Sequence, residues 1–189
     1  MGKMICAVLL GLCLHAPHAG AQVLWEGASY GMSPAQVQQR FPRAQMPEVP
    51  DKLAGGEVEG LRLADVRMAG HAFTASFFFG HDGLMQVMLG LDGMPAQADG
   101  MRAFEAVAGE LGAAHGKPHS SEWTHAPFQR RTAQWMVDGA TVKVFYMDVG
   151  TASIVNVIHQ ARAPDAPPGP RLRTPTGSGR TGEAGRRGE

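Results

Sequence analysis

The chain has 189 residues, and its 17 Lys and Arg balance its 17 Asp and Glu, so the formal net charge is zero. A protein without excess positive charge lacks the electrostatic footprint of a nucleic-acid-binding protein, and we expect no nucleic-acid partner. Both cysteines, Cys6 and Cys13, lie close to the N-terminus. The rest of the chain therefore has no thiol for a catalytic cysteine or a cysteine–zinc site.

The first 21 residues are typical of a cleavable secretory signal. Lys3 supplies a positive charge, residues 5–14 form an apolar run, and Ala19 and Ala21 are small residues before a cleavage site. The apolar run is much shorter than the roughly 20 residues that a membrane-spanning helix needs. We therefore expect cleavage near Ala21, a mature chain that is periplasmic or secreted, and no transmembrane segment.

The C-terminal segment has the composition of a disordered tail. From Ala163 onward it contains five Arg and three acidic residues among Pro, Gly, Ser and Thr, with one Leu and no aromatic residue. Such a segment buries too little apolar surface to offset the entropy lost on ordering. The predicted organisation is a signal peptide at 1–21, a single folded domain at 22–161 and a Pro/Gly/Arg-rich tail at 162–189.

The first half of the folded domain predicts a helix followed by three strands. Ser33 and Gln36 form a capping box at the start of a short helix, and Pro42 ends it. The apolar pattern then predicts strands, the first with a bulge near Ala64 or Asp65. These strands are expected at residues 61–68, 71–79 and 84–91.

The second half repeats this order. A helix is expected over 96–111, with Gly112 just after its end. Strands are expected at 132–137, 140–147 and 152–159, with Asp138-Gly139 as a hairpin turn. The predicted fold class is α+β: two consecutive αβββ units, about 22–93 and 94–161, with helices packed on antiparallel sheet.

The segment WEGASYGMSPAQVQQRF contains Gly31, Met32, Ser33 and Val37 in a Gly-Met-Ser/Thr-x-x-x-Val pattern. It resembles the opening of small exported bacterial proteins, the BamE-like outer-membrane assembly lipoproteins and the tandem-repeat β-lactamase inhibitory proteins. Both families are similar in having short helices packed on an antiparallel sheet. The resemblance implies a binding or assembly module and no enzymatic activity. The chain departs from the BamE-like proteins because it lacks their lipid-bearing cysteine.

Two sequence motifs for catalysis are missing: there is no phosphate-binding loop and no His-Glu-x-x-His pair. Of the eight His and 11 Met, six His and nine Met follow the predicted signal, and imidazole and thioether groups suit copper. A periplasmic metal-handling protein is therefore one alternative function, with His115 and His119 as its close His pair. An unrecognised hydrolase whose residues meet only in the fold is another.

The two loops that connect helix to sheet have opposite charges. The loop at 42–60 has a net charge of −2 and the loop at 113–131 a net charge of +2. Long loops on a rigid scaffold often bind partners, and an aromatic residue beside cations has the composition of an interface anchor. The second loop therefore contains the predicted partner-binding residues. They are Trp123, His115, His119, His125, Phe128, Arg130 and Arg131.

These features together predict an exported, non-catalytic binding or envelope-assembly module. The expected partner is an acidic envelope protein or surface component. No catalytic residue, cofactor or metal ligand is predicted. The pattern leaves open whether the two units share one sheet, and also the oligomeric state.

The signal sequence gives a first testable prediction. Protein recovered from the compartment outside the cytoplasmic membrane should begin at Gln22, because cleavage follows the small residues Ala19 and Ala21. N-terminal sequencing of the exported protein measures this directly. Exported material that begins at Met1 would show that the segment is not a cleavable signal.

Overall fold

The structure is a computed structural model that describes residues 22–162. The predicted signal peptide and all of the predicted tail except Arg162 lie outside the described residues. The described chain contains two helices and nine strands. In order they are β1 (Val23–Trp25), β2 (Ala28–Ser29), α1 (Pro34–Arg40), β3 (Val58–Met68), β4 (His71–Gly80), β5 (Gly83–Leu91), α2 (Gln97–His115), β6 (Ser120–Thr124), β7 (Arg130–Val137), β8 (Ala140–Asp148) and β9 (Ser153–Ala161).

The fold is mostly β, and the prediction of an α+β fold built from two αβββ units is wrong. Seven strands form one antiparallel sheet in the order β3-β4-β5-β9-β8-β7-β6, and β1 and β2 form a separate two-stranded sheet. The two helices make up only 18% of the described residues. The second half also has four strands in the large sheet instead of three.

Two features account for the error. First, β5 pairs with β9 along five residue pairs, from Gln86↔Gln160 to Gly90↔Asn156, which merges both halves into one sheet. This pairing joins segments that are far apart in sequence, and a local apolar pattern does not encode it. Second, β6 has the sequence SSEWT and lies at the sheet edge. A strand exposed on both faces needs no apolar alternation, so the pattern does not reveal it.

The start of α1 agrees with the predicted capping box. The Ser33 side chain accepts a hydrogen bond from the Gln36 amide at 3.3 Å, and the Gln36 side chain accepts one from the Ser33 amide at 2.8 Å. Phe41 follows the helix and stacks on Trp25 with ring centroids 5.4 Å apart, and both rings lie against Phe77. The cap and these rings place α1 beside the β3 end of the sheet.

The predicted bulge in β3 is confirmed. The register of β3 against β4 shifts between Leu63 and Val66, and Asp65 has a φ of 58°. The outer edge of β3 is covered by the chain itself. Gln45 and Lys52 of the preceding loop form isolated antiparallel bridges with Arg62 and with Val58.

Helix α2 packs on one face of the sheet, over β8 and β9. Its start is attached to β9, because the Pro95 carbonyl accepts hydrogen bonds from the Ser153 amide at 2.8 Å and from the Ser153 hydroxyl at 3.1 Å. Gly100 lies at the point of closest approach. A Cβ added there would overlap the Ser153 hydroxyl and lie 2.9 Å from the Ser153 Cβ.

The end of α2 differs from the prediction. The helix continues through Gly112 to His115, and the C-cap is Gly116 with a φ of 79°. Gly112 therefore lies inside the helix, and Gly116 adopts a positive-φ conformation that glycine readily permits. Neither helix in the described part of the chain is long and apolar enough to cross a membrane.

The two glycines of α2 predict opposite effects of the same substitution. Gly100→Ala should destabilise the protein by about 1–3 kcal/mol, because the added methyl group pushes α2 away from β9. Gly109→Ala should stabilise it by about 0.5–1 kcal/mol, because the added Cβ meets no atom within 4 Å and alanine favours the helix. Urea unfolding of both variants measures the difference. Equal effects would show that α2 does not approach β9 at Gly100.

Candidate partner-binding site

The predicted second loop is largely a β-hairpin. Residues Ser120–Thr124 form β6, which pairs with β7 in the register Ser121↔Ala133 and Trp123↔Arg131. Trp123 was predicted outside any strand or helix, and this prediction is wrong. Its side chain lies on the helix side of the sheet, because Arg131 directly opposite it contacts α2. The hairpin therefore holds Trp123 on a rigid element.

The Arg131 guanidinium is held between two aromatic rings. Its central carbon lies 5.1 Å from the ring centroid of Phe104 in α2 and 4.9 Å from that of Trp123. Arg131 also donates a hydrogen bond to Glu105 Oε1 at 3.1 Å. Cation–π contacts of this kind contribute about 0.5–1 kcal/mol each at exposed sites. Arg131 thus connects the hairpin to α2, and its charge is already paired.

Trp123 remains half open to solvent despite this contact. Its exposed fraction is 53%, and its ring lies beside the His125 ring, tilted by 32° with centroids 5.0 Å apart. The structure brings Trp123, His125 and Arg131 together as one aromatic and cationic cluster, which we call the Trp123 cluster.

Two other predicted residues lie on the opposite face of the sheet. Phe128 is 56% exposed and lines a shallow cavity of about 160 Å³ together with Arg130. Arg130 is the neighbour of Arg131 on β7, and consecutive residues of a strand point to opposite faces of the sheet. Arg130 therefore points away from α2. The seven predicted residues therefore do not form one continuous patch.

The remaining two predicted residues flank the turn between α2 and β6. His115 is the last residue of α2, and His119 precedes β6 and donates its amide hydrogen to the Gln134 carbonyl at 2.7 Å. Both side chains are exposed. Lys117 lies between them and has no ion-pair partner within residues 22–162.

A groove separates α2 from the hairpin. It has a volume of about 520 Å³ and begins beside Lys117 and ends beside Arg131. Trp135, which is buried, donates its indole N–H to the Gly116 carbonyl at 2.9 Å and forms part of the floor. The groove is lined by Phe104, Glu105, Ala108, Gly109, Gly112, Gly116, Lys117, Pro118, Ser121, Arg131, Ala133 and Trp135.

Sequence reasoning missed this groove and the role of Lys117. Ala108, Gly109 and Gly112 lie on one side of α2 and leave the helix surface almost without side chains. Gly112 follows Ala108 by four residues and Gly109 by three, and these spacings predict a bare stripe on one side of a helix. The same stripe is compatible with close packing against another element, and only the position of the hairpin distinguishes an open groove from a packed contact.

At the end of the acidic first loop, the buried carboxylate of Glu59 pairs with Arg62, whose side chain is partly exposed. Glu59 is 1% exposed and accepts hydrogen bonds from Arg62 Nε at 2.7 Å, from Arg62 Nη2 at 2.5 Å and from the Asp51 amide at 3.2 Å. Burial alone raises the pKa of Glu59, but the hydrogen bonds from Arg62, Ser76 and Asp51 outweigh it, and the pKa lies below its usual value. These groups stabilise the β3 edge and leave Glu59 unavailable to a partner.

His159 lies on β9 between Val87 of β5 and Val142 of β8, and it is buried. Its exposed fraction is 7%, and within the described residues neither ring nitrogen makes a hydrogen bond of normal geometry. Burial lowers the pKa of His159 to about 4; the Leu24 backbone counteracts this shift, and His115 adds to it. His159 is therefore a neutral core residue near pH 7.

Among residues 22–162, no three side chains of His, Cys, Asp and Glu come close enough to hold a metal ion. His115 and His119 lie on either side of a turn, and His159 is buried away from solvent. The groove contains Lys117, which has no ion-pair partner in the described part of the chain, and one Arg–Glu pair in a mainly apolar surface. This arrangement suits binding of an apolar group that has an anionic neighbour.

Comparison of the chain with family models, curated proteins and solved structures gives no match. The residues of the Gly-Met-Ser pattern have local structural roles here: the Gly31 amide donates to the Leu84 carbonyl at 3.0 Å, and Ser33 caps α1. Function therefore has to be inferred from the site itself.

The two tryptophans of the hairpin provide a matched test of the site. Trp123→Ala should cost about 1 kcal/mol of stability, since it removes one cation–π contact from a half-exposed ring. Trp135→Ala should cost about 3–5 kcal/mol, as expected for a buried aromatic residue. Urea unfolding measures both. A cost for Trp123→Ala as large as that for Trp135→Ala would make Trp123 a core residue instead of a contact residue.

His159 predicts an acid-sensitive core. Because its folded pKa is about 4 and its unfolded pKa is 6.5, the unfolded state binds the proton more tightly. The contribution of His159 to stability is therefore fully present above pH 6.5 and is lost as the pH falls toward 4, by about 3 kcal/mol in total. His159→Gln should remove this pH dependence. Urea unfolding at several pH values measures the free energy of unfolding. If this free energy changed with pH by the same slope in the unmodified protein and in His159→Gln between pH 6.5 and 4.5, the effect would be disproved.

Proposed function

We propose that the chain is an exported, non-catalytic binding module that recognises an envelope protein or surface component through the Trp123 cluster and the groove beside it. The mature protein is periplasmic or secreted after removal of the signal peptide. The resemblance of its N-terminal segment to small exported binding and assembly proteins supports the same function.

The exposure of Trp123 is the observation on which this proposal depends. An aromatic ring that is half exposed, stacked on a paired arginine and fixed on a β-hairpin is typical of an interface anchor. Such a ring loses little conformational entropy when a partner covers it. The apolar groove directly beside it extends the surface that a partner buries.

The charges near the site favour an acidic partner. Lys117 lies at one end of the groove, and Arg130 lies on the other face of the hairpin; neither forms an ion pair within the described part of the chain. Binding of an acidic group near Lys117 gains electrostatic energy without breaking an existing pair. The affinity should therefore decrease as salt is added.

Site-specific photocrosslinking in intact cells tests the proposal. A photoreactive phenylalanine at Trp123 should crosslink to one defined envelope component, because this ring is expected to contact the partner. Positions Met94 and Met136 are matched controls: both are exposed apolar residues, and neither lines the groove. Mass spectrometry of the crosslinked band identifies the component.

Two results decide the outcome. A crosslink at position 123 that is absent at positions 94 and 136 and decreases in a Lys117→Glu background supports the proposal. Equal crosslinking at all three positions, or none at position 123 in correctly exported protein, contradicts it. Trp123→Ala should also weaken binding of the identified component in purified form, while Trp123→Phe should retain most of it because a flat ring is kept.

A further inference from the structure

We propose that the partner contributes an extended peptide segment that adds to the sheet as a strand along the open edge of β6, with alternate side chains filling the groove. The segment carries two apolar side chains and one acidic side chain on the face toward α2. This inference rests on the proposed function and names the kind of partner that the site accepts.

The two edges of the large sheet differ in whether another segment of the described residues covers them. The outer edge of β3 is covered by the bridges from Gln45 and Lys52. On the opposite side, β6 pairs only with β7 among the strands of residues 22–162. An uncovered edge presents backbone N–H and C=O groups that an incoming strand can pair with. Within the described residues, the chain therefore covers the β3 edge and leaves the β6 edge available.

The groove lies within reach of a strand added to β6. Only Ser121 and Trp123 of β6 point toward α2, and Ser121 is small. A neighbouring strand lies about 4.8 Å away, so a long apolar side chain opposite Ser121 extends over it toward Ala133. The bare side of α2 at Gly109 and Gly112, where an added Cβ would meet no atom within 4 Å, leaves room for that side chain.

The ends of the groove specify what the segment carries. Lys117 and Trp135 mark one end, and Arg131 with Trp123 marks the other. Trp135 and Arg131 are four residues apart on β7, which corresponds to about 14 Å along a strand. Because Arg131 is already paired with Glu105, Lys117 is the cation of the groove that has no ion-pair partner among residues 22–162. A matching segment has an acidic residue opposite Lys117 and apolar residues two and four positions away.

A second copy of this chain fits the edge poorly. Antiparallel pairing of two β6 strands about a two-fold axis at the strand centre places Glu122 opposite Glu122. Like charges directly opposite each other destabilise a strand pair. A foreign segment with a neutral or basic residue at that position has no such cost. The edge therefore favours a different protein as the partner.

A displayed library of random dodecapeptides, selected on the purified full chain, provides the probe. Selected peptides should share an acidic residue and two apolar residues at alternate positions. Synthetic versions are then methylated on one backbone nitrogen at a time. Since every second amide of an added strand faces β6, methylation should weaken binding about tenfold or more at alternate positions and little at the others.

Two protein variants test the groove and the charge. Gly109→Leu should lower peptide affinity about tenfold or more, because the new side chain fills the groove. Ala106→Leu is the matched control: position 106 is exposed on the same helix and does not line the groove, so affinity should stay within about twofold. Lys117→Glu should weaken binding, and a peptide with Lys in place of its acidic residue should recover it.

The outcomes separate this inference from the proposed function. Alternating sensitivity to methylation together with the Gly109→Leu loss supports strand addition. Two results overturn it: sensitivity to methylation that does not alternate along the peptide, or unchanged peptide affinity of Gly109→Leu. Either result does so even if crosslinking at position 123 still supports a partner-binding surface. If no peptide is selected and sedimentation shows a dimer that β6 variants dissociate, a second copy occupies the edge and the inference is wrong.

Discussion

The pairing of β5 with β9 is the interaction on which the rest of the structure depends. It places Val87 opposite His159 and Leu89 opposite Val157, so that the apolar faces of both halves form one continuous core. Without it, each half would present an unpaired central strand to solvent. Because the two halves share one sheet, the large sheet of the described residues has only two edges, β3 and β6. The position of the candidate site follows from this, since one of these edges is β6.

The position of α2 then determines where the groove lies. The Pro95–Ser153 hydrogen bonds and the close approach at Gly100 hold the start of the helix on β9. From there α2 covers β8 and β9, and the hairpin of β6 and β7 extends beyond it. A wider helix layer would bury the hairpin. Because α2 covers only part of this face of the sheet, the β6 end of the same face, which contains Trp123, stays open.

Paired and unpaired charges distinguish the two ends of the sheet. At the β3 end, the buried Glu59 is neutralised by Arg62, and the loop above it closes the edge. Removing one partner of such a pair would leave an uncompensated buried charge, which is strongly destabilising. At the β6 end, Arg131 is paired with Glu105, but Lys117 is free within the described residues. The first end is thus suited to stability, and the second is suited to binding.

Local chemistry in the sequence determined much of the secondary structure. The capping box at Ser33 and the bulge near Asp65 were predicted because short-range hydrogen bonding and alternation specify them directly. Trp123 was predicted as a partner-binding residue from the composition of the loop at 113–131 alone. The structure places its side chain half exposed beside Arg131. Its placement in a loop was wrong, because β6 is an edge strand without an apolar face.

What the sequence by itself determined is the set of elements whose signals lie within a few residues: helix starts, turns and alternating strands. Tertiary structure alone decided that β5 meets β9, that Phe128 and Arg130 face away from Trp123, and that Lys117 borders a groove. These relations depend on which distant strands pair and on where α2 rests on the sheet. Many strand pairings satisfy the same alternating pattern, and only the packing of the whole core selects one of them.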